Sequence, residues 1–163
     1  MSTIDILLAS YDFNRTRSLA LLEQIEIESN ASEVLGWRPG EKRAHIAWQL
    51  MHVGISEDIF AIERLAPEKS SSLEELWPRF RGGSTPDDQI PSPDEIRRVL
   101  ATGRQELCDT LAKFCEEDLA KVPETWTERG LTLLQILHIL GYHEAHHHGQ
   151  AHITLNLYKA SHS

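Results

Sequence analysis

Residues 66–91, APEKSSSLEELWPRFRGGSTPDDQIP, determine how the long helices of this chain can be arranged. Four prolines, a run of three serines and a Gly-Gly pair are typical of a connection, and they interrupt any long helix or strand. Ser72 and Glu75 have capping-box spacing, which predicts one short helix inside the stretch. A connection of this length is too long for a tight turn. The helices on either side of it can therefore run in the same direction.

Long segments with helical spacing of apolar residues lie on both sides of this crossover. The four predicted helices span residues 3–29, 41–65, 92–114 and 132–159. Ser92-Pro93 with Glu95, and Thr132 with Gln135, mark two of the helix starts. No alternating strand pattern competes. We therefore expect an all-α fold, an up-down-down-up four-helix bundle with a long crossover between helices 2 and 3, as a single domain over residues 1–163.

Charge and composition exclude several classes of function. With 16 Lys and Arg against 25 Asp and Glu, the net charge is −9, so nucleic acid is not an expected partner. No apolar run is long enough to cross a membrane and no leader is apparent, which predicts a cytoplasmic protein. Cys108 and Cys115 lie two turns apart in one helical pattern, so we expect two reduced thiols that do not pair.

Five of the nine histidines fall within residues 143–152, HEAHHHGQAH. On a helical wheel His147 lies about 40° from His143, and both fall on the apolar stripe of helix 4. His148 and His152 form a second pair four residues apart, but they fall off the stripe, and His146 is marginal. Helical phase therefore selects His143 and His147 as a pair that can face one metal ion.

A third imidazole is available on helix 2, where both His45 and His52 share the face of Trp48. His52 lies deeper in the apolar run and is the better candidate ligand. Three neutral imidazoles would leave coordination positions open, and zinc, nickel and ferrous iron all accept them. The alternative is that histidines four residues apart occur by chance in a histidine-rich helix and are core residues without a metal.

Two motifs resemble the DinB/YfiT-like metalloenzyme family. Residues 48–52, Trp-Gln-Leu-Met-His, followed by Ser56-Glu57, are similar to its ligand segment on helix 2, and residues 143–150 match His, three residues, His, any residue, Gly, Gln. The family commonly has arginine where this chain has His148. The resemblance implies an up-down-down-up bundle, often a homodimer, with a divalent metal held by His52, His143 and His147.

Three functions are alternatives for such a metal site, and the resemblance favours the first. The first is an enzyme that transfers a low-molecular-weight thiol to a small electrophile, as the family's thiol S-transferases do, with a metal that lowers the pKa of the thiol. The second is metal-dependent hydrolysis with Glu57 or Glu144 as base, although on the helical wheel neither glutamate lies on the same face as the ligands. The third is a non-catalytic, stress-related metal-binding module. In the crossover, Trp77, Phe80 and Gly82-Gly83 are interpreted as a packed connection, a lid or a dimer contact.

Overall fold

The computed structural model describes all 163 residues, and all of its regular elements are helical, which confirms the predicted all-α class. The α-helices are α1 (Thr3–Glu26), α2 (Ala31–Gly36), α3 (Ile46–Ile59), α4 (Trp77–Phe80), α5 (Pro93–Leu111) and α6 (Leu133–Ser161). A π-helical turn, Phe60–Arg64, extends α3, and short 3-10 turns precede α4 and occupy the connection from α5 to α6. None of the helices is both long and apolar enough to cross a membrane.

The predicted starts of the last two long helices are confirmed by their caps. The Ser92 hydroxyl accepts a hydrogen bond from the Glu95 amide at 3.2 Å. At α6 the Thr132 hydroxyl accepts from the Gln135 amide at 3.3 Å, while Gln135 Oε1 accepts from the Thr132 amide at 2.9 Å. These contacts satisfy backbone donors that have no partner inside a helix, so the chain enters each helix at a defined residue.

The start predicted at residue 41 for the second long helix was wrong, because α3 begins at Ile46. Lys42 has φ 59°, which no helical residue adopts. His45 is the N-cap instead, with its Nδ1 accepting from the Trp48 amide at 3.0 Å. The prediction extended the helix back to Pro39-Gly40 because it had no way to recognise an imidazole as the cap.

Other helix boundaries also differ from the prediction. The first helix ends at Glu26, and the supposed connection after it contains the short helix α2. The third long helix ends at Leu111, so Cys115 lies beyond it. In the crossover the predicted capping box at Ser72 does not form, and the short helix α4 starts later, at Trp77. Trp77 and Phe80 are buried, as expected for a packed connection.

Helix α3 lies at the centre of the helical assembly. It packs against α5 and α6, while α1 packs against α6. All of its residues, Ile46–Ile59, are buried, including the polar Gln49, Ser56 and Glu57. Neighbouring elements therefore cover α3 on every side, and not only on the face that carries Trp48 and His52. Polar groups on such a helix need partners inside the protein, and the partner of Gln49 is His147, one of the histidines of the candidate site.

Candidate metal centre

Three histidines from two helices converge beside the crossover. His52 comes from α3, and His143 and His147, one turn apart, come from α6. Each histidine has a ring nitrogen within 4.8 Å of a ring nitrogen of the other two. The closest pair is His143 Nε2 and His52 Nε2, at 3.0 Å. The structure thus brings together the pair that helical phase selected and the histidine of α3 that was preferred over His45.

Contacts behind His52 determine which of its nitrogens faces the cluster. Its Nδ1–H donates to the Phe80 carbonyl at 2.6 Å, because a carbonyl can only accept. Trp48 stacks on the ring, with centroids 4.6 Å apart and planes 13° from parallel. The proton on Nδ1 leaves the lone pair on Nε2, which is the atom next to His143. A backbone carbonyl that orients a histidine in this way is the usual support of a metal ligand.

A chain of side-chain amides orients His147 from the opposite side. Its Nδ1–H donates to Gln49 Oε1, which leaves the lone pair on Nε2. The Gln49 amide donates in turn to Gln150 Oε1 at 2.9 Å, and the Gln150 amide donates to His146 Nε2 at 2.7 Å. Gln49 on α3 therefore links the α6 ligand candidate to the glutamine of the 143–150 motif.

Burial keeps the three imidazoles neutral. Loss of solvent lowers the pKa of His52, and it lowers the pKa of His143 and of His147 to about 3, with neighbouring imidazoles adding to the effect. Protons therefore do not compete for their lone pairs near neutral pH. Two nitrogens that bind one ion at roughly 2.0–2.1 Å lie about 3 Å apart, as His52 and His143 do. The donor set fits a divalent cation.

The remaining histidines lie elsewhere. His45 caps α3, and its Nε2 is 2.9 Å from the Asp87 carbonyl oxygen, so it does not join the cluster. His148 and His152 face each other at 6.0 Å between ring centroids, away from His52. His138 and His162 are exposed. The helical-phase selection therefore distinguished the clustered pair from the other histidines of the same run.

A cavity of about 290 Å³ opens beside the cluster, and His52 and His143 form part of its wall. Phe60 and Trp126, with ring centroids 5.5 Å apart, form an apolar part of the lining. Three arginines also line it: Arg64, Arg81 and Arg129. No Asp, Glu or Cys is among the lining residues. None of these arginines or aromatic residues was predicted from the sequence; they come from the π-helical turn after α3, the crossover and the connection from α5 to α6.

Glu57 and Glu144, the two carboxylates considered as bases, belong to a buried ion network on the other side of α3. Arg15 contacts each of them at 2.8 Å, and Arg104 contacts them at 2.7 and 2.9 Å. Both carboxylates thus serve as partners of arginines, and neither lines the cavity. The sequence analysis missed Arg15 and Arg104. The available signal was a glutamate inside an apolar helix, since such a buried charge requires a cation.

The two cysteines are free and are not part of the cavity. Burial raises the pKa of Cys108, and hydrogen bonding to Glu117 and Asp118 raises the pKa of Cys115. Neither thiol is activated toward the thiolate form that attacks electrophiles. Any thiol that reacts at the histidine cluster must therefore come from another molecule.

Comparison with known proteins identifies one family. The family model described as DinB superfamily matches residues 5–151, which include most of α1, all of α3 and α5, and the histidine cluster. No curated protein matches the chain.

Proposed function

Because the chain belongs to the DinB superfamily, we propose that it is a divalent-metal-dependent enzyme with His52, His143 and His147 as the metal ligands. The observation that carries the proposal is the convergence of three neutral imidazoles, two of them oriented by hydrogen bonds at Nδ1, beside a cavity open to small molecules. A site closed on all sides would indicate a structural metal, whereas an accessible side is typical of catalysis. Zinc, nickel and ferrous iron all suit the imidazole set.

The reaction that we propose is S-transfer from a low-molecular-weight thiol to a small electrophile. A bound divalent cation would supply Lewis acidity that lowers the pKa of the thiol. The sulfur forms a bond to the electrophilic carbon, the leaving group departs with its electron pair, and the thiol proton passes to solvent. Phe80 and Gln49 hold the imidazoles of His52 and His147 in place, and the Phe60 and Trp126 rings limit water around the reacting atoms.

Hydrolysis is the second candidate, and the lining of the cavity favours it less. A hydrolytic water needs a base within hydrogen-bond reach, and carboxylates are absent from the lining. Glu57 and Glu144 are engaged by Arg15 and Arg104. S-transfer needs no carboxylate of the protein, because a thiol with a lowered pKa releases its proton directly to solvent. The third candidate, a non-catalytic metal-binding module, predicts bound metal without turnover.

The test uses tag-free protein, because the chain's own histidines bind adventitious nickel. We expect about one metal per chain by elemental analysis, and turnover when a low-molecular-weight thiol and an aryl halide are supplied together. His147→Ala should lose both, while His138→Ala, an exposed change on the same helix, should keep both. Metal without turnover would favour the module, and ester hydrolysis without a thiol would favour the hydrolase. Absence of stoichiometric metal would refute the ligand set.

We also infer the up-down-down-up order of the four long helices α1, α3, α5 and α6. Support comes from the direction in which contact partners advance along neighbouring helices. The pairs are His52–His143 and Gln49–Gln150 between α3 and α6, Asn14–Gly141 and Arg15–Glu144 between α1 and α6, and Asp12–Arg104 and Glu26–Arg97 between α1 and α5. An experimental structure in which α3 runs antiparallel to α5 would contradict this order.

A homodimer is proposed for the assembled protein. The outer face of α6 exposes four large apolar side chains at helical spacing: Ile139, Tyr142, Ile153 and Leu157. Apolar residues aligned on one face in this way are typical of an interaction surface. Light scattering should give twice the 18.5 kDa chain mass, and Tyr142→Glu should reduce it to one chain. A monomeric wild-type protein would contradict the proposal.

A further inference from the structure

We propose that the cavity beside the histidine cluster binds a small molecule through an anionic group, a carboxylate or a phosphate, that docks on Arg64, Arg81 and Arg129. The inference rests on the proposed function in one respect: the reactive site next to the arginines is taken to be the three-histidine metal site. It specifies the charge of the substrate or of the thiol, which neither the histidines nor family membership specifies.

The first support is an excess of positive charge in the cavity wall. Glu63 is the carboxylate partner of both Arg64 and Arg81, at 2.9 and 3.3 Å. Arg129 makes no ion pair, and its guanidinium lies 5.2 Å from the centre of the Trp126 ring. Three cations with one carboxylate leave two positive charges at the cavity. The chain as a whole carries −9, so the local sign is reversed where a ligand would enter.

The second support is that these guanidinium groups keep unused donors. The Arg64 and Arg81 side chains are 39% and 41% exposed, and Arg129 is exposed on the connection that follows Trp126. A guanidinium has five N–H donors in a planar fork that matches the oxygens of a carboxylate or phosphate. By contrast, Arg15 and Arg104 are enclosed by carboxylates in the buried network. The cavity arginines are therefore available to an incoming anion.

The third support is the position of the arginines relative to the histidines. They line the same cavity as His52 and His143, and its volume of about 290 Å³ is at the small end of the roughly 300–1,000 Å³ that ligand sites occupy. A small acid bound by the arginines would place its uncharged portion against Phe60 and Trp126 and its far end near the imidazoles. Neutral and cationic molecules of the same size would lack the anchoring contact.

The experiment measures binding of two simple anions, succinate and inorganic phosphate, by calorimetry at low ionic strength. Tag-free protein is used in both the metal-free and the zinc-loaded form. We expect saturable binding of at least one anion in both forms, weakened about tenfold by Arg129→Gln or Arg81→Gln, since each loses charge-assisted hydrogen bonds. Arg98→Gln is the matched control, because Arg98 is an exposed arginine of α5 outside the cavity. The tighter anion identifies the ligand group.

Two outcomes would overturn the inference. One is the absence of saturable binding, or an equal loss in Arg98→Gln, which would reduce the effect to general charge attraction. The other is binding that requires zinc and is unchanged in both cavity variants, which would place the anion on the metal alone. Because the metal-free arm does not depend on the histidines, failure to bind metal or to turn over would refute the proposed function without deciding this result.

Discussion

Gln49 of α3 orients His147, the candidate ligand on α6. Its side chain is buried on α3, accepts from His147 and donates to Gln150. Gln49→Ala removes the acceptor that keeps the proton on His147 Nδ1, so the ring and its lone pair lose their orientation. Loss of such a supporting contact typically lowers metal affinity by about 10- to 100-fold.

A competition titration with a chromophoric chelator measures this change. Gln105→Ala is the matched control, because Gln105 is exposed on α5 and its amide contacts only Asp109 of the same helix. If Gln49→Ala keeps its fold and binds metal as tightly as wild type, His147 needs no orienting partner.

The buried imidazoles also predict how stability depends on pH. In the metal-free protein His143 and His147 have pKa values of about 3, against 6.5 for an ordinary histidine, so below pH 6.5 the unfolded chain binds more protons than the folded one. The free energy of unfolding should therefore fall as the pH drops from about 6.5 toward 3. Burial raises the pKa of Glu144, which acts in the opposite direction.

A comparison of variants isolates the contribution of His143 to the pH dependence of stability. Denaturant unfolding at pH 7 and pH 5 should show a smaller stability loss for His143→Gln than for wild type, whereas His138→Gln, on the exposed surface, should match wild type. Saturating metal should deepen the loss, since protons then also displace the ion. The same pH slope in His143→Gln and wild type would contradict the buried neutral state.

Individual residues show how far the sequence could predict the site. His52, His143 and His147 were predictable because helical phase and apolar spacing are local properties. The partners that orient them were not, since Phe80 and Gln49 reach their histidines across gaps of 28 and 98 residues. The cavity arginines were also missed, because Arg81 and Arg129 reach Arg64 only through the way two connections fold against the end of α3.

At the scale of the helices, α3 and α5 approach each other so closely that only glycine fits at the crossing. A Cβ atom on Gly103 would lie 2.1 Å from the Gly54 carbonyl oxygen, and one on Gly54 would lie 2.8 Å from the Val99 carbonyl oxygen. Gly103→Ala must push the helices apart and should cost at least about 1–3 kcal/mol of stability. Separation of the helices would also move α3, which carries His52.

Gly149→Ala provides the opposite control. It is also a helical glycine, but an added Cβ meets nothing within 4 Å. Alanine there should raise stability by up to about 1 kcal/mol, because it reduces the backbone entropy of the unfolded chain. Thermal unfolding of the two variants should therefore shift in opposite directions. A neutral Gly103→Ala would indicate that the crossing can widen without strain.

Helix starts were predicted correctly where a local Ser or Thr side-chain cap marks them. The surroundings of a helix depend on packing against distant parts of the chain and were not predicted. The starts of α5 and α6 follow from side-chain caps next to them in sequence. The surroundings of α3 could not be predicted from its own residues, since a helix covered on every side can contain Gln49, Glu57 and Asp58 only when other elements supply partners. Those partners come from α1, α5, α6 and the crossover.

At the scale of the whole molecule, one buried ion network ties together all four long helices. Arg15 of α1, Glu57 of α3, Arg104 of α5 and Glu144 of α6 form a group of two positive and two negative charges. Their side chains are between 3% and 11% exposed. Helical periodicity predicts four helices, but the order and register in which they meet depend on long-range contacts of this kind.

The network predicts a large penalty when one charge is removed alone. Arg104→Ala leaves three buried charges with a net negative sign and should lower the free energy of unfolding by about 3–5 kcal/mol. Arg97→Ala is the matched control on the same helix, since Arg97 pairs with Glu26 at the surface, where such a pair contributes at most about 1 kcal/mol. Urea unfolding of both variants measures the difference, and equal losses would refute a special role for the network.

A double variant separates the charge from the packing. Arg104→Met combined with Glu57→Leu removes one charge of each sign and leaves Arg15 paired with Glu144 at 2.8 Å. Because the remaining pair is neutral overall and the new side chains fill the space, the double variant should recover most of the stability that Arg104→Ala loses. If it is instead as unstable as Arg104→Ala, the four-charge arrangement itself stabilises the bundle, and hydrophobic groups cannot replace it.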